Sequence, residues 1–368
     1  MDVRFGLATA GDDEDIRRLL REHPVPGRVT VSFEREPSYF LGCETMGSVC
    51  QVLVGRDAAT GELVGVACRA TRPMFVNGEP VEVGYLSQLR IHRRYRGRWL
   101  LSRGFRMLRA LHGDARVTRY VTTITQDNSE ARGLLVDHPR RHFPVYREVG
   151  RLLALAVVAR RMADRRPPVC DVSVAGAAEL GEIIGFLERH GPTKQFFPVY
   201  TKDDFGGAPA TRGFRTGDFL LASRGSQLVG VAGLWDQRAY KQTVVRGYAG
   251  ALRWLRPLVA PAARLAGVPP LPRPGQSVRS AYLAFICIAG DDPAVFRALL
   301  RYGRNLATRR GIAYLMVGLM AGDPLLPVAR EFLHIAYPSR LYTVSFPEED
   351  GQNVPLDGRV PHVEIAAL

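Results

Sequence analysis

The feature that most constrains this chain is that it repeats itself. Leu63-Val64-Gly65-Val66-Ala67 returns unchanged as Leu228-Val229-Gly230-Val231-Ala232, an offset of 165 positions. Ala10-Gly11 returns as Ala175-Gly176 at the same offset. Tyr85-Leu86-Ser87-Gln88-Leu89-Arg90-Ile91 is echoed by Tyr282-Leu283-Ala284-Phe285-Ile286-Cys287-Ile288. There the offset is 197, which puts an insertion of about 32 residues between the two later echoes. Arg119-Tyr120-Val121 has a weaker partner in Ala313-Tyr314-Leu315, and Arg151-Leu152 in Arg340-Leu341. Several matches in one order, with one insertion, imply two copies of one domain. The expected boundaries are 1–165 and 166–368, with a charged, proline-ended linker from Arg160 to Pro168 and the insertion near 248–279. A chain of 368 residues suits two domains of ordinary size.

Within the first copy the hydrophobic period alternates between strand and helix. Val3 to Ala8 reads as a strand, and the acidic Asp12-Asp13-Glu14 opens a helix with Ile16, Leu19 and Leu20 inward. Cys50 to Gly55 and Leu63 to Ala70 form a hairpin, and Asn77-Gly78 turns the chain into the next strand. That strand carries Val83, Tyr85, Leu89 and Ile91 at period two. A helix follows, with Leu101, Phe105, Leu108 and His112 on one stripe. Arg119 to Thr125 is a strand, Asp127-Asn128-Ser129 caps a helix, and Val149 to Val158 closes the copy. The second copy restarts with a strand at Val169 to Val174. In the insertion, Leu252, Leu255, Val259 and Ala263 share a face of a proline-interrupted helix. It reads as a packed lid or as a surface for an acyl chain, partner or membrane.

Between the strand and the helix of the first copy lies Arg93-Arg94-Tyr95-Arg96-Gly97-Arg98. A strand that ends in a glycine-containing turn and opens a helix presents unpaired N–H groups and the positive end of the helix dipole. Four arginines make that turn an anion site suited to phosphate. The net charge is +14, and only Lys194, Lys202 and Lys241 of the 50 basic residues are lysines. The excess is spread over both halves with no basic tail, which fits an anionic small ligand or an acidic carrier protein better than nucleic acid. The longest apolar run, Tyr282 to Ala289, is too short to span a bilayer, so no stable membrane insertion is expected. The first residues show no signal-peptide pattern. The five cysteines are scattered, with no metal-type spacing or disulfide framework, so no metal site is expected and a cytoplasmic location is the simplest reading.

The order of elements, with the fourth strand ending in an Arg-x-x-Gly turn before a helix, resembles the GNAT acyltransferase superfamily. The family signature is Arg or Gln, two residues, Gly, one residue, then Gly or Ala. Arg94-Tyr95-Arg96-Gly97-Arg98 matches its first five positions, and Trp99 stands where the small residue belongs. Asn128 and Ala131 match the family's later Asn and Ala motif. The resemblance is specific over 50–150 and is one of topology over 166–368. It implies an α/β fold of two tandem GNAT-like domains, each a mixed, mostly antiparallel twisted sheet flanked by helices. It implies acetyl-CoA or another acyl-CoA as co-substrate. The pyrophosphate is then held by the N–H groups of Tyr95, Arg96, Gly97, Arg98, Trp99 and Leu100, with Arg94 beside them. Leu89, Arg90 and Ile91 lie along the pantetheine arm, and Asn128 reaches its lower part. The implied reaction is direct attack of an amine of a small-molecule acceptor on the thioester, which requires a base for the amine and an acid for the leaving thiolate. Glu82 is the acid nearest the strand, Tyr85 and Ser87 share one of its faces, and Tyr146 replaces the tyrosine that the family carries after the Asn motif.

In the second copy the turn reads Ala289-Gly290-Asp291-Asp292-Pro293. Carboxylates at a helix N-terminus occupy the N–H groups and repel phosphate. Asp292-Pro293 reads instead as an N-cap followed by proline at the first helical position. The second copy is therefore expected to have lost the cofactor site and to complete the acceptor pocket, with Trp235-Asp236-Gln237 as a possible lining. Two other readings stay open: an N-acyltransferase supplied by an acyl carrier protein, and a non-catalytic CoA-binding or scaffold protein.

Overall fold

The computed structural model describes residues 2–25, 27, 29–96, 98–114, 116–137, 143–160, 169–250, 253–254, 269–349, 351 and 353–368. Gly97, the linker after Arg160, and residues 251–252 and 255–268 of the insertion lie outside the described residues.

The first half runs β1 (Val3–Leu7), α1 (Asp13–Glu22), β2 (Val29–Glu34), α2 (Tyr39–Cys43), β3 (Val49–Asp57), β4 (Leu63–Val76), β5 (Glu79–Ile91), α3 (Arg98–His112), β6 (Tyr120–Thr125), α4 (Ser129–Leu135) and β7 (Val145–Val158). The second half runs β8 (Asp171–Val174), α5 (Leu180–His190), β9 (Phe219–Arg224), β10 (Gln227–Trp235), β11 (Gln242–Tyr248), β12 (Ser280–Ile288), α6 (Pro293–Arg309), β13 (Tyr314–Met320), α7 (Leu326–Arg330) and β14 (His334–Ser345). Two helices start on side-chain caps that the sequence offers: Asn128 accepts from the Ala131 N–H, and Asp292 from those of Ala294 and Val295. The Asn77-Gly78 turn takes the positive φ values, 54° and 91°, that a tight two-residue hairpin requires.

Twelve strands form one sheet in the order β1-β3-β4-β5-β6-β14-β7-β13-β12-β10-β9-β8. Pairing is antiparallel except at β5–β6 and β12–β13. The order is the same read from either end if β1, β3, β4, β5 and β6 are matched with β8, β9, β10, β12 and β13. At the centre the last strands cross over: β14 lies between β6 and β7, and β7 pairs with β13. The two halves are therefore joined through a single sheet. A second contact, β2 against β11, also links them. Hydrophobic cores on the two faces mix residues of both halves. Leu152, Met320 and Leu341 pack with Ile16, Leu19, Cys43 and Tyr85 on the α1–α2 face. On the opposite face, Leu101, Phe105 and Leu108 of α3 pack with Tyr120, Ile124, Tyr342 and Val344. No helix among the described residues is long and apolar enough to cross a membrane.

Candidate active site

The site begins with a bulge. Gln88 in β5 has φ +57°, and the β4–β5 register shifts between Val66 and Cys68. A bulge twists and bends its strand. Here β5 pairs with β6 only at Gly84–Tyr120 and Tyr85–Val121, and beyond Tyr85 the two strands separate. The main chain from Leu86 onward, including Leu89, Arg90 and Ile91, therefore leaves the β6 side of β5. Thr122 of β6 reaches back across the gap, its Oγ1 donating to the Leu86 carbonyl at 2.7 Å.

The basic turn closes one end of this cleft. Arg93–Tyr95 forms a single 3-10 turn, capped by the His92 ring, which accepts from the Arg94 N–H at 3.3 Å. Tyr95 is buried, and its hydroxyl donates to Asp57 Oδ2 at 2.8 Å, fastening the turn to the β3–β4 hairpin. Arg93 and Arg94 are exposed, and Arg96 pairs with Glu130 at 2.8 Å. Leu100 is buried against Val3, Val64 and Tyr95, which seats the first turn of α3. That first turn has no acidic residue. Trp99 is 41% exposed, so its side chain leaves the turn rather than filling it. The Tyr95 and Arg96 N–H groups do not face a ligand as expected: the turn spends them on the His92 carbonyl at 2.9 Å and the Arg93 carbonyl at 3.4 Å. What fits a phosphorylated ligand is the N-terminus of α3, with exposed arginines beside it and no carboxylate in its first turn. Asn128 spends its side chain on capping α4, accepting from the Ala131 N–H at 3.0 Å.

A small cavity, about 40 Å³, lies at the mouth of the cleft on the α1–α2 face. Tyr85 comes from β5, Val121 and Thr123 from β6, and Met46 from the segment after α2. The second half supplies Phe196, Leu341, His362, Glu364 and Leu368. Burial pushes the Tyr85 hydroxyl up to about 12. Burial, with the positive charges of Lys194 and Arg72 behind it, pulls His362 down to about 3, so its ring is neutral. His362 Nε2 is buried and has no hydrogen-bond partner among the described residues. Burial also raises Glu364, against the opposing pull of the Phe285 and Ala366 N–H groups and of Arg72 and Lys241.

The structure separates the expected catalytic residues. Tyr85 and Ser87 stay together, and Ser87 Oγ donates to Met46 Sδ at 3.3 Å beside the cavity. Glu82 pairs with Pro73 on the closed part of β5, and strand alternation points it to the face opposite Tyr85. Tyr146 lies in β7, with β14 between it and β6, and packs near Tyr342 in the α3–α4 core. Neither Glu82 nor Tyr146 lines the cavity. Of the Trp235-Asp236-Gln237 group, Trp235 is core and donates to the Arg212 carbonyl, Asp236 pairs with Arg238, and Gln237 holds the Ala366 carbonyl. His362 and Glu364 escaped the sequence reading because only the folded chain brings them within reach of Tyr85.

The matching position in the second half is built alike and then filled. Phe285 has φ +55°, three residues after Tyr282 just as Gln88 follows Tyr85, and β12 pairs with β13 only through Tyr282–Met316. The Phe285 N–H is taken by Glu364 Oε2 at 2.8 Å. Ile365 packs on Gly318 so closely that a Cβ there would fall 2.8 Å from Ile365 Cβ. At the turn, Asp292 caps α6 and pairs with Arg224 at 2.7 Å, while Asp291 pairs with Lys194 at 2.8 Å. This half has both its cleft and its helix N-terminus occupied by its own chain.

No family model and no curated protein matches the chain. Solved structures do. Saccharomyces cerevisiae N-myristoyltransferase with bound myristoyl-CoA aligns with TM-score 0.59 and 10% identity, over 93% of this chain and 82% of that one. A second structure of that enzyme with bound myristoyl-CoA gives 0.61 and 11%, over 94% and 79%. A GCN5-related glucosamine N-acetyltransferase region of a fungal multi-domain beta-N-acetylglucosaminidase gives 0.61 and 12%, over 93% of this chain and 38% of that one. What is shared at such identity is architecture: this chain has the GNAT-like fold, a large and mostly antiparallel sheet flanked by helices.

Proposed function

We propose that the protein is an N-acyltransferase that takes an acyl group from coenzyme A and passes it to an amine. The observation that carries this is the cleft opened by the Gln88 bulge, with an arginine-rich helix N-terminus at one end and, at the other, a largely apolar cavity edged by Tyr85, His362 and Glu364. Among the described residues the first half alone offers such a cleft, so residues 1–165 supply the donor site. The second half, read as a degenerate copy, completes the acceptor pocket with His362 and Glu364. The donor brings an activated thioester. The N–H groups at the start of α3 hold its pyrophosphate, aided by Arg93 and Arg94, and the open edge of β5 from Leu89 to Ile91 orders the pantetheine arm. Neutral His362 accepts a hydrogen bond from the incoming amine, with Glu364 in the same wall. Tyr85, whose hydroxyl stays protonated, is placed to donate to the departing sulfur.

The test is calorimetric titration with CoA, followed by turnover with acyl-CoAs of graded chain length against a panel of amines. The wild type binds CoA, and replacing Arg93 and Arg94 together with Ala weakens binding. Absence of binding at millimolar CoA, by both wild type and Trp99→Gly, overturns the reading. Turnover with acyl carrier protein but not with acyl-CoA moves the donor to the carrier.

A further inference from the structure

Three of the five cysteines, dispersed in the sequence, meet on the α1–α2 face of the sheet. The Sγ atoms of Cys43, Cys50 and Cys68 all lie within 4.8 Å of one another, and those of Cys50 and Cys68 are 3.2 Å apart. The convergence has a local cause. The β3–β4 register pairs Cys50 with Ala70 and Val52 with Cys68, which makes the two cysteines diagonal neighbours on one face. Cys43 ends α2, and the start of α2 is pinned by Asp13, whose Oδ1 accepts from Ser38 Oγ at 2.7 Å and from the Tyr39 N–H at 2.8 Å. Cys43 and Cys68 are buried and Cys50 is half-buried. Spacing along the chain carries no sign of this group, because it takes two strands and a helix end to bring the three cysteines together.

The surroundings favour an anionic group at this place. Arg35 is 4% exposed, and its Nε has no hydrogen-bond partner. It pairs with no carboxylate among the described residues. Its side chain lies against the residue before Cys43: a Cβ on Gly42 would stand 2.2 Å from Arg35 Cδ. Tyr39, one helical turn before Cys43, presents a buried hydroxyl that also lacks a partner. A buried cation without a counter-ion is costly, and three soft donors gathered beside it supply one once they are ionised.

We propose that Cys43, Cys50 and Cys68 bind one thiophilic d10 metal ion, Zn2+ or Cu+, in a three-sulfur site with Arg35 as counter-ion. Thiolate sulfur is the donor these ions select. At a metal–sulfur distance of about 2.3 Å the three sulfurs stand about 4 Å apart, a spacing that side-chain rotation reaches from the present one. Each thiol that coordinates gives up its proton to solvent. Zn2+ with three thiolates carries one negative charge, which the Arg35 guanidinium balances. The ion joins the end of α2 to the β3–β4 hairpin, and so braces Met46, three residues on in the cavity wall. The site stands whether or not the acyltransferase reading does.

The full chain, purified under reductant without oxygen, is titrated with Zn2+ and separately with Cu+ against chromophoric chelators. One ion per chain is expected, from one arm or both. Cys43→Ser and Cys68→Ser each weaken binding at least tenfold, while Cys170→Ser and Cys287→Ser leave it unchanged. In the wild type, which needs no variant to fold, the metal slows alkylation of Cys50 as mapped by mass spectrometry. No ion bound in either arm overturns the proposal. So does binding that the cluster variants do not change, or a Cys50–Cys68 disulfide whose reduction yields no metal uptake.

Discussion

Tyr95 fastens the basic turn to the rest of the sheet through one hydrogen bond to Asp57. The Tyr95 hydroxyl, then the Ala59 and Thr60 N–H groups, hold the Asp57 carboxyl below its ordinary range. A lowered carboxylate pKa contributes stability that is fully present above the unfolded value, about 3.9, and is lost as pH falls through the lower folded value. Tyr95→Phe removes the leading contribution. We expect the variant to be less stable than wild type at pH 7, with the difference shrinking in acid, measured by urea unfolding at both pH values. A gap as wide at pH 3 as at pH 7 would rule out the carboxylate as its source. The same change loosens the turn, and KM for acyl-CoA should rise about two- to tenfold with kcat less affected. Tyr95 was legible in the sequence as part of an Arg-x-x-Gly turn. Its partner was not, because Asp57 reads only as a hairpin-loop residue and the contact spans 38 positions.

Two helices in matching places of the sheet differ in what sits at their N-termini, and capping chemistry shows how. α3 opens with Arg98-Trp99 and no acid, whereas α6 opens on Asp292, whose Oδ1 accepts from Ala294 N–H at 2.8 Å and Val295 N–H at 3.5 Å. Asp292→Ala should cost about 0.5–2 kcal/mol, the ordinary worth of a lost N-cap, read from the urea midpoint. It should leave CoA affinity untouched. An affinity that changes with this cap would mean that α6, not α3, faces the donor. The Asp292-Pro293 cap was readable because capping is decided within four residues. The bulges were not, since Gln88 and Phe285 hold positive φ without the glycine that normally signals it. What the sequence did carry was their equivalence, through the echo that sets Gln88 opposite Phe285.

At the scale of the whole molecule, the echoes led to an expectation of two domains placed end to end, and the sheet is woven more tightly than that. β14 pairs with β6 over Ser339–Val344 and with β7 over His334–Ser345, so the strand that closes the first half belongs to the second. β7 in turn covers β13 from Tyr314 to Met320. Order among strands some 190 positions apart is set by tertiary packing, and no local pattern reports it; Arg340 and Glu148, paired at 2.6 Å, are 192 residues apart. Cutting the chain in the linker therefore tests the architecture directly. Residues 1–165 alone leave β6 and β7 without the strand between them, two long unpaired edges beside a core missing Leu341 and Met320. That fragment should aggregate or fail to unfold cooperatively, and 166–368 should do the same. Co-expressed, the two should assemble into a complex with the intact chain's circular dichroism, because the exchanged strands need no covalent link to pair. The intact chain should unfold in a single transition by both fluorescence and circular dichroism. A soluble 1–165 fragment with its own sharp transition would show that the first half closes its sheet without β14, and that the exchange is ornament on two independent domains.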